Sequence, residues 1–355
     1  MPLPRSLPPI ALSASLLPLL SACGSVVLTE PTGGGGTAGS GVTSTATSST
    51  STSTSISTSS STSTALPDPG VRLAQGSEPR CIKEASGTVT CYQDPTLPDG
   101  VPGPATVPGI SDAVAVVGAS QVGCVLHAGG QVSCWGDSDE GQLGLAVPIG
   151  QVSDTPVVLP EVSLIRLAGH SNSLCGIEPS GRAVCWGYVP SLKSASQSPV
   201  PVPGIDDAVE IAVSGERACA VRQGGSVWCW GYEDPAPVPG VSGATSVAVA
   251  DLIACAIVEG GKVVCWNAGE EGLVTVKGVD DAVQLSATNP TVCARRASGK
   301  VSWWGYGITP DTHVNLVGME DIIDATATSN GVCVVRSSGP VECWDPPAGI
   351  VPFPN

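Results

Sequence analysis

Fourteen cysteines stand in this chain of 355 residues, and their spacing is regular. Twelve form six pairs, each ten positions apart: Cys81 with Cys91, Cys124 with Cys134, Cys175 with Cys185, Cys219 with Cys229, Cys255 with Cys265 and Cys333 with Cys343. Two chemistries use cysteines in such numbers, metal ligation and disulfide bonding. Zinc sites want closely spaced pairs such as C-x2-C; none occurs, so no metal site is expected. In an exported protein, regular pairs read as disulfides. Cys293 is left over, because Trp303 stands where its partner would be. It is expected to be a buried free thiol. Reactivity would require basic neighbours, and Arg295 and Arg296 are near in sequence.

Other candidates for chemistry are few. His127, His170 and His313 lie in different segments, outside any H-E-x-x-H motif, and neither G-x-S-x-G nor GxxxxGK[ST] is present. The stretch "DSDEGQLG", Asp137 to Gly144, invites a calcium reading, but an EF-hand loop needs glutamate twelfth and Pro148 stands there. A solvated acidic loop is expected instead. The doublets Asp206 and Asp207, and Asp280 and Asp281, precede apolar runs as turn residues do, rather than as a paired acid and base. No catalytic residue, no metal and no cofactor is expected.

The elements that position the cysteines follow from the glycine between them. In "CAVRQGGSVWCWG", Cys219 to Gly231, Gly225 lies one position past the midpoint, and Gly87, Gly130, Gly181, Gly261, Gly299 and Gly339 hold the same place. A three-residue hairpin loop, a type I turn closed by a left-handed residue, wants glycine third. With Gln223–Gly225 as the loop, Arg222 faces Ser226, Val221 faces Val227, Ala220 faces Trp228 and Cys219 faces Cys229. If Arg222 and Ser226 are a hydrogen-bonded pair, Cys219 and Cys229 are not. The Cα atoms then lie roughly 4.5 Å apart, near the lower end of disulfide geometry.

Trp135, Trp186, Trp230, Trp266 and Trp344 follow the second cysteine directly, with Trp304 and Tyr92 in the equivalent places. Alternation points them to the opposite sheet face, so one unit's disulfide should pack near the next unit's indole. An aromatic platform for a ligand is the alternative.

First cysteines of successive units are 43, 51, 44, 36, 38 and 40 residues apart, Cys293 included. Repeats of this length with four short strands read as propeller blades. In one unit the strands would be Val209–Ser214 inside, Ala218–Arg222 and Ser226–Trp230 as the hairpin, and Ala236–Val241 outside, where proline is tolerated. Composition agrees: 44 Gly and 32 Pro suit short strands joined by turns, and no long stretch has helical periodicity. The fold expected is all-β, a seven-bladed β-propeller with four-stranded blades over residues 67–355.

These units resemble the regulator of chromosome condensation repeat family. "AVAVVGASQVGCVLHAGGQVSCWGDSDEGQLG", residues 113–144, carries the G-x-V-x-x-W-G core and the GQLG of that family. "LAGHSNSLCGIEPSGRAVCWG", residues 167–187, adds the step from glycine to histidine, which implies a structural role for His170. The resemblance spans about residues 71–355 and implies the seven-bladed propeller. The family's namesake is a guanine-nucleotide exchange factor on chromatin. This chain departs from it in being acidic and cysteine-rich and in having an export signal. Exported bacterial members of the fold resemble protein-binding propellers, including an inhibitor of β-lactamases, so a protein partner is implied, its identity open.

Residues 1–22 have one positive residue, Arg5, a short apolar stretch and small residues at the end, the layout of an export signal. Leu20-Ser21-Ala22-Cys23 resembles a bacterial lipobox, which implies lipidation of Cys23; an ordinary cleaved signal is the alternative. Residues 23–66 are almost wholly Ser, Thr and Gly and bury too little apolar surface to order, so a flexible linker is expected. The net charge of −16 lies almost wholly beyond residue 66 and disfavours nucleic acid. The expected protein is thus a monomeric lipoprotein of a bacterial cell envelope. Gly24 is compatible with the outer membrane, and the lipid is the one membrane contact. Its propeller binds protein through the stretches Asp137–Pro156 and Tyr188–Pro199. An envelope hydrolase or lyase with a site at the channel mouth is the alternative reading.

Overall fold

The computed structural model describes residues 72–76, 81–92, 104–267, 272–305, 313–329, 331–337, 341–345 and 349–352. The chain divides into two units, Met1–Ser63 and Thr64–Asn355, and every described residue belongs to the second. Cys23, the leader (1–22), the linker (23–66) and Gly339 lie outside the described residues.

The local hairpin is the seed of the structure. In the fourth unit Arg222 N donates to Ser226 O at 2.9 Å and Gly225 N to Arg222 O at 2.8 Å. Gly225 sits at φ +81°, and a Cβ there would lie 2.7 Å from the Gly243 backbone, so conformation and space both select glycine. The register then runs Val221↔Val227, Ala220↔Trp228, Cys219↔Cys229. The same register recurs in the other units. Cys81 is bridged to Cys91 in the first blade, Cys124 to Cys134 in the second and Cys175 to Cys185 in the third. Cys219 is bridged to Cys229 in the fourth, Cys255 to Cys265 in the fifth and Cys333 to Cys343 in the seventh. Their Cα atoms lie 4.0–4.1 Å apart, the close approach of non-hydrogen-bonded neighbours and slightly tighter than the spacing expected from the turn alone.

An inner and an outer strand complete each blade. In the fourth they are Ala208–Val213 and Ala236–Pro237, flanking Ala218–Arg222 and Val227–Trp230. The inner strand starts and ends one residue earlier than expected. Ser226 closes the turn rather than entering the strand. The outer strand is two residues instead of six, because regular pairing ends once Val238 N has reached Val227 O.

Among the described residues the strands make seven sheets, six of four strands and one of five, arranged as a seven-bladed β-propeller. The fifth strand of the second blade is Gln75–Gly76, laid parallel to Val117–Gly118 on the axial side. Among the described residues, blade one uses only 72–106 and blade seven only 322–352, so no blade mixes strands from the two ends of the chain. The ring closes by packing instead. Cys333, Cys343 and Val335 meet Leu73, Ile82 and Tyr92, and Leu73 N donates to the buried Asp324 Oδ2 at 2.7 Å.

Between blades, sulfur meets indole as alternation requires. The Cys81–Cys91 bridge packs with Trp135, Cys124–Cys134 with Trp186 and Cys175–Cys185 with Trp230. Cys219–Cys229 packs with Trp266, and Cys255–Cys265 with Trp304. Cys293 and Trp303 pack with Trp344 in the same way. Trp135, Trp186 and Trp304 are fully buried and Trp230 nearly so, which overturns the ligand-platform alternative for them. Apolar burial at roughly 25 cal/mol per Å² makes these rings, with the aliphatic side chains around them, part of the cement between blades.

Candidate functional site

Pairing fixes which connections share a face. Val213 pairs with Ala218, and Ala218 with Trp230, so the turn after each inner strand and the connection after each third strand lie together. On that face the stretches expected to be exposed loops are built differently. Gln131–Asp137 and Val152–Ser163 extend one hairpin, with Asp137 opposite Val152. Ala183–Val189 and Ser194–Pro201 extend a second, with Val189 opposite Ser194.

The two excursions lock together. Gln197 Nε2 donates to Gly144 O at 2.9 Å and Val147 O at 2.8 Å, and Trp186 Nε1 donates to Gln142 O at 3.0 Å. Ser138, Gln142 and Leu143 are buried, which corrects the reading of "DSDEGQLG" as a solvated loop. Its GQLG half wedges between blades two and three, with Asp139 left exposed. Lys193 Nζ lies 5.5 Å from the Tyr232 ring centroid, joining the second excursion to blade four. The hydrogen bond that the Tyr232 hydroxyl donates to Tyr188 pushes its phenol up to about 12. Above this framework Leu145, Ile149 and Leu192 are 58%, 50% and 49% exposed.

At the centre of the same face His170, only 4% exposed, is held between two hydroxyls. Its Nδ1 lies 3.0 Å from Ser171 Oγ and its Nε2 3.1 Å from Thr288 Oγ1, across the axis on blade six. Burial lowers its pKa against a smaller raising pull from Asp251, so the ring is neutral at pH 7. A Ser–His–Asp relay needs a carboxylate on Nδ1 and a reachable hydroxyl on Nε2. Here a hydroxyl occupies Nδ1, and Asp251 Oδ2 accepts from Asn289 Nδ2 at 3.3 Å instead. The cluster is a cross-ring clasp.

The remaining candidates are dispersed. His127 joins Asp112 Oδ1 at 2.6 Å and Ser133 Oγ at 2.9 Å within blade two, and His313 lies beside Gly278 in another sector. Asp207 accepts from Arg222 Nε at 2.5 Å and Asp281 from Arg296 Nε. Their carbonyls accept from Gln223 N and Ala297 N, both at 2.7 Å, which is the work of turn residues. Cys293 is unbridged and buried, and burial pushes its thiol far up. Arg295 Nε donates to Gln284 Oε1 at 3.0 Å, and Arg296 is engaged with Asp281, so neither guanidinium activates it. Among the described residues no group of three or more metal-ligating side chains converges.

The inner strands enclose an axial cavity of about 560 Å³. It is lined by apolar side chains such as Ile165, Leu167, Ile211, Val247 and Leu285, and by Arg166, Glu210, Gln284 and Asp324. Gln75–Gly76 and the His170–Thr288 contact lie toward its end under the excursions. Ile165 and Val114, near the strand starts, are exposed at the opposite end. The sequence implied a channel and a structural role for His170, but not Thr288 as its partner nor the residues that line the cavity, since each joins distant blades.

No protein-family model and no curated protein matches the chain. Solved structures do. Prp20p of Saccharomyces cerevisiae, the yeast RCC1, aligns at 17% identity with a TM-score of 0.54, over 66% of this chain and 71% of that one. Human WBSCR16 aligns at 13% with a TM-score of 0.60, over 75% and 84%. The CRINKLY ectodomain of the Arabidopsis thaliana receptor kinase ACR4 aligns at 20% with a TM-score of 0.54, over 79% and 98%. At these identities the likeness shows the propeller fold.

Proposed function

We propose that this chain is a protein-binding module whose contact surface is the face bearing the interlocked excursions of blades two and three. The observation that carries the reading is the exposure of Leu145, Ile149 and Leu192 on a framework that is otherwise buried and hydrogen-bonded. Exposed apolar side chains on a rigid scaffold are what partners bury. Prp20p, by its description, binds Gsp1p and histones, so a propeller of this architecture supports protein contacts. We read the module as non-enzymatic, since His170 is shut in its clasp.

Six disulfides fit an oxidising compartment outside the cytoplasm. Among the described residues no helix is long and apolar enough to cross a membrane. We further propose that Cys23 carries the lipid that holds the protein to a bacterial envelope.

The test is affinity capture from envelope extract with the mature protein, alongside Leu145→Asp and Leu192→Asp. A stoichiometric partner lost in both variants, and retained by Ser180→Asp on the opposite face, is the expected result. Retention by both aspartate variants moves the surface elsewhere. Turnover of a glycan or peptide library without any partner would establish the envelope enzyme instead.

A further inference from the structure

The axial cavity, lined from Ile165 at one end of the inner strands to His170 at the other, takes no part in the function proposed above. Its polar groups differ in how well they are satisfied. Asp324 accepts from Leu73 N and from Gln284 Nε2, each at 2.7 Å, and is a structural carboxylate. Glu210 is placed differently. Arg166 Nε approaches its Oε2 only at 3.5 Å, the limit of a hydrogen bond, while Arg166 Nη1 donates to Ile165 O at 2.9 Å. The Arg166 side chain is 52% exposed, so this guanidinium is a loose partner.

We propose that the axial cavity is a socket for an organic cation on an apolar stem, with Glu210 receiving the ammonium or guanidinium head. Ile211 beside Glu210, and Leu167, Val247 and Leu285 around it, supply the apolar wall. His170, bonded to Thr288 across the ring, lines the far end. The volume falls within the range of small-molecule sites. Charge selects the sign of the ligand: the lining carries Glu210 and Asp324 against Arg166, on a chain of net charge −16. An acid would face two carboxylates. An entering ammonium supplies a closer cationic donor than Arg166 to a carboxylate whose side chain is 33% exposed. Burial already pushes the Glu210 carboxyl up against the weaker pull of Arg166, so its ionised form gains from a second cation.

The test uses the mature protein with n-hexylamine, n-hexanol and hexanoate as probes, read by calorimetry and by amide chemical shifts. Hexylamine is expected to bind more tightly than hexanol, with shifts at Ile211 and Val247, and hexanoate not at all. Glu210→Gln should weaken the amine about tenfold, the effect of losing one charge-assisted hydrogen bond. Arg166→Ala should tighten it by freeing the carboxylate, a gain that general damage to the fold would not produce. Equal binding of hexanol and hexylamine, tighter binding of hexanoate, or shifts confined to the excursion face would each overturn the proposal. If Glu210→Gln does not fold, the wild-type comparison of the three probes and the Arg166→Ala gain decide it alone.

Discussion

His170 shows how a single side chain can be conspicuous in sequence and yet acquire its role only from the ring. The glycine–histidine step pointed to structure, and the hydroxyl of Thr288, 118 positions away, supplies the reason. Its titration makes a prediction. Because burial lowers the folded pKa below the unfolded value of about 6.5, the unfolded chain binds the proton more readily. Stability is therefore unaffected well above about pH 6.5 and falls as pH drops from there toward the lowered value. His170→Gln, which keeps a donor and an acceptor but no titration, should flatten this part of the profile. Guanidinium unfolding midpoints for both proteins between about pH 7 and pH 5 provide the check. Identical slopes would show that the ring is not desolvated as described.

At the scale of elements, what could be read in the chain was what is decided within a dozen residues. Gly225 and the Cys219↔Cys229 register depend on one turn. The sulfur–indole stacking then follows from strand alternation and the repeat period. The excursions were legible only as length. Their locking depends on Gln142, Trp186 and Gln197, brought together from different blades at separations that carry no local signal. The outer strands were overextended because proline-rich edges look alike whether paired or not.

The sixth blade tests the stapling argument directly. Cys293 pairs in register with Trp303 at the position every other blade gives to a bridge. Trp303→Cys should therefore oxidise spontaneously, with loss of the free thiol and of two hydrogens in intact mass. Closing an eleven-residue loop contributes about 3 kcal/mol by the chain-entropy relation. Loss of the Trp303–Trp344 edge contact, with centroids at 5.3 Å, works against it. Denaturation with and without reductant should show a larger difference in the variant than in the parent. A variant that keeps two titratable thiols in its folded state would contradict the register.

For the molecule as a whole, the decisive feature is the seam. Six junctions are crossed by continuous chain, whereas among the described residues blades one and seven meet by packing and through Asp324. In a ring of stapled hairpins, opening should begin where no strand crosses, while each hairpin stays closed by its own bridge. Asp324→Ala strips the acceptor from the Leu73 amide, and a buried unsatisfied donor costs about 1–3 kcal/mol. Hydrogen exchange without reductant should then quicken first in Cys81–Lys83 and Val332–Arg336, while Ala208–Arg222 keeps its parental rate. That outcome would place the weakest junction at the chain ends and leave the excursion-bearing blades rigid for contact. Uniform quickening through all seven blades would instead mean that the ring opens as one cooperative unit, with the seam no weaker than its neighbours.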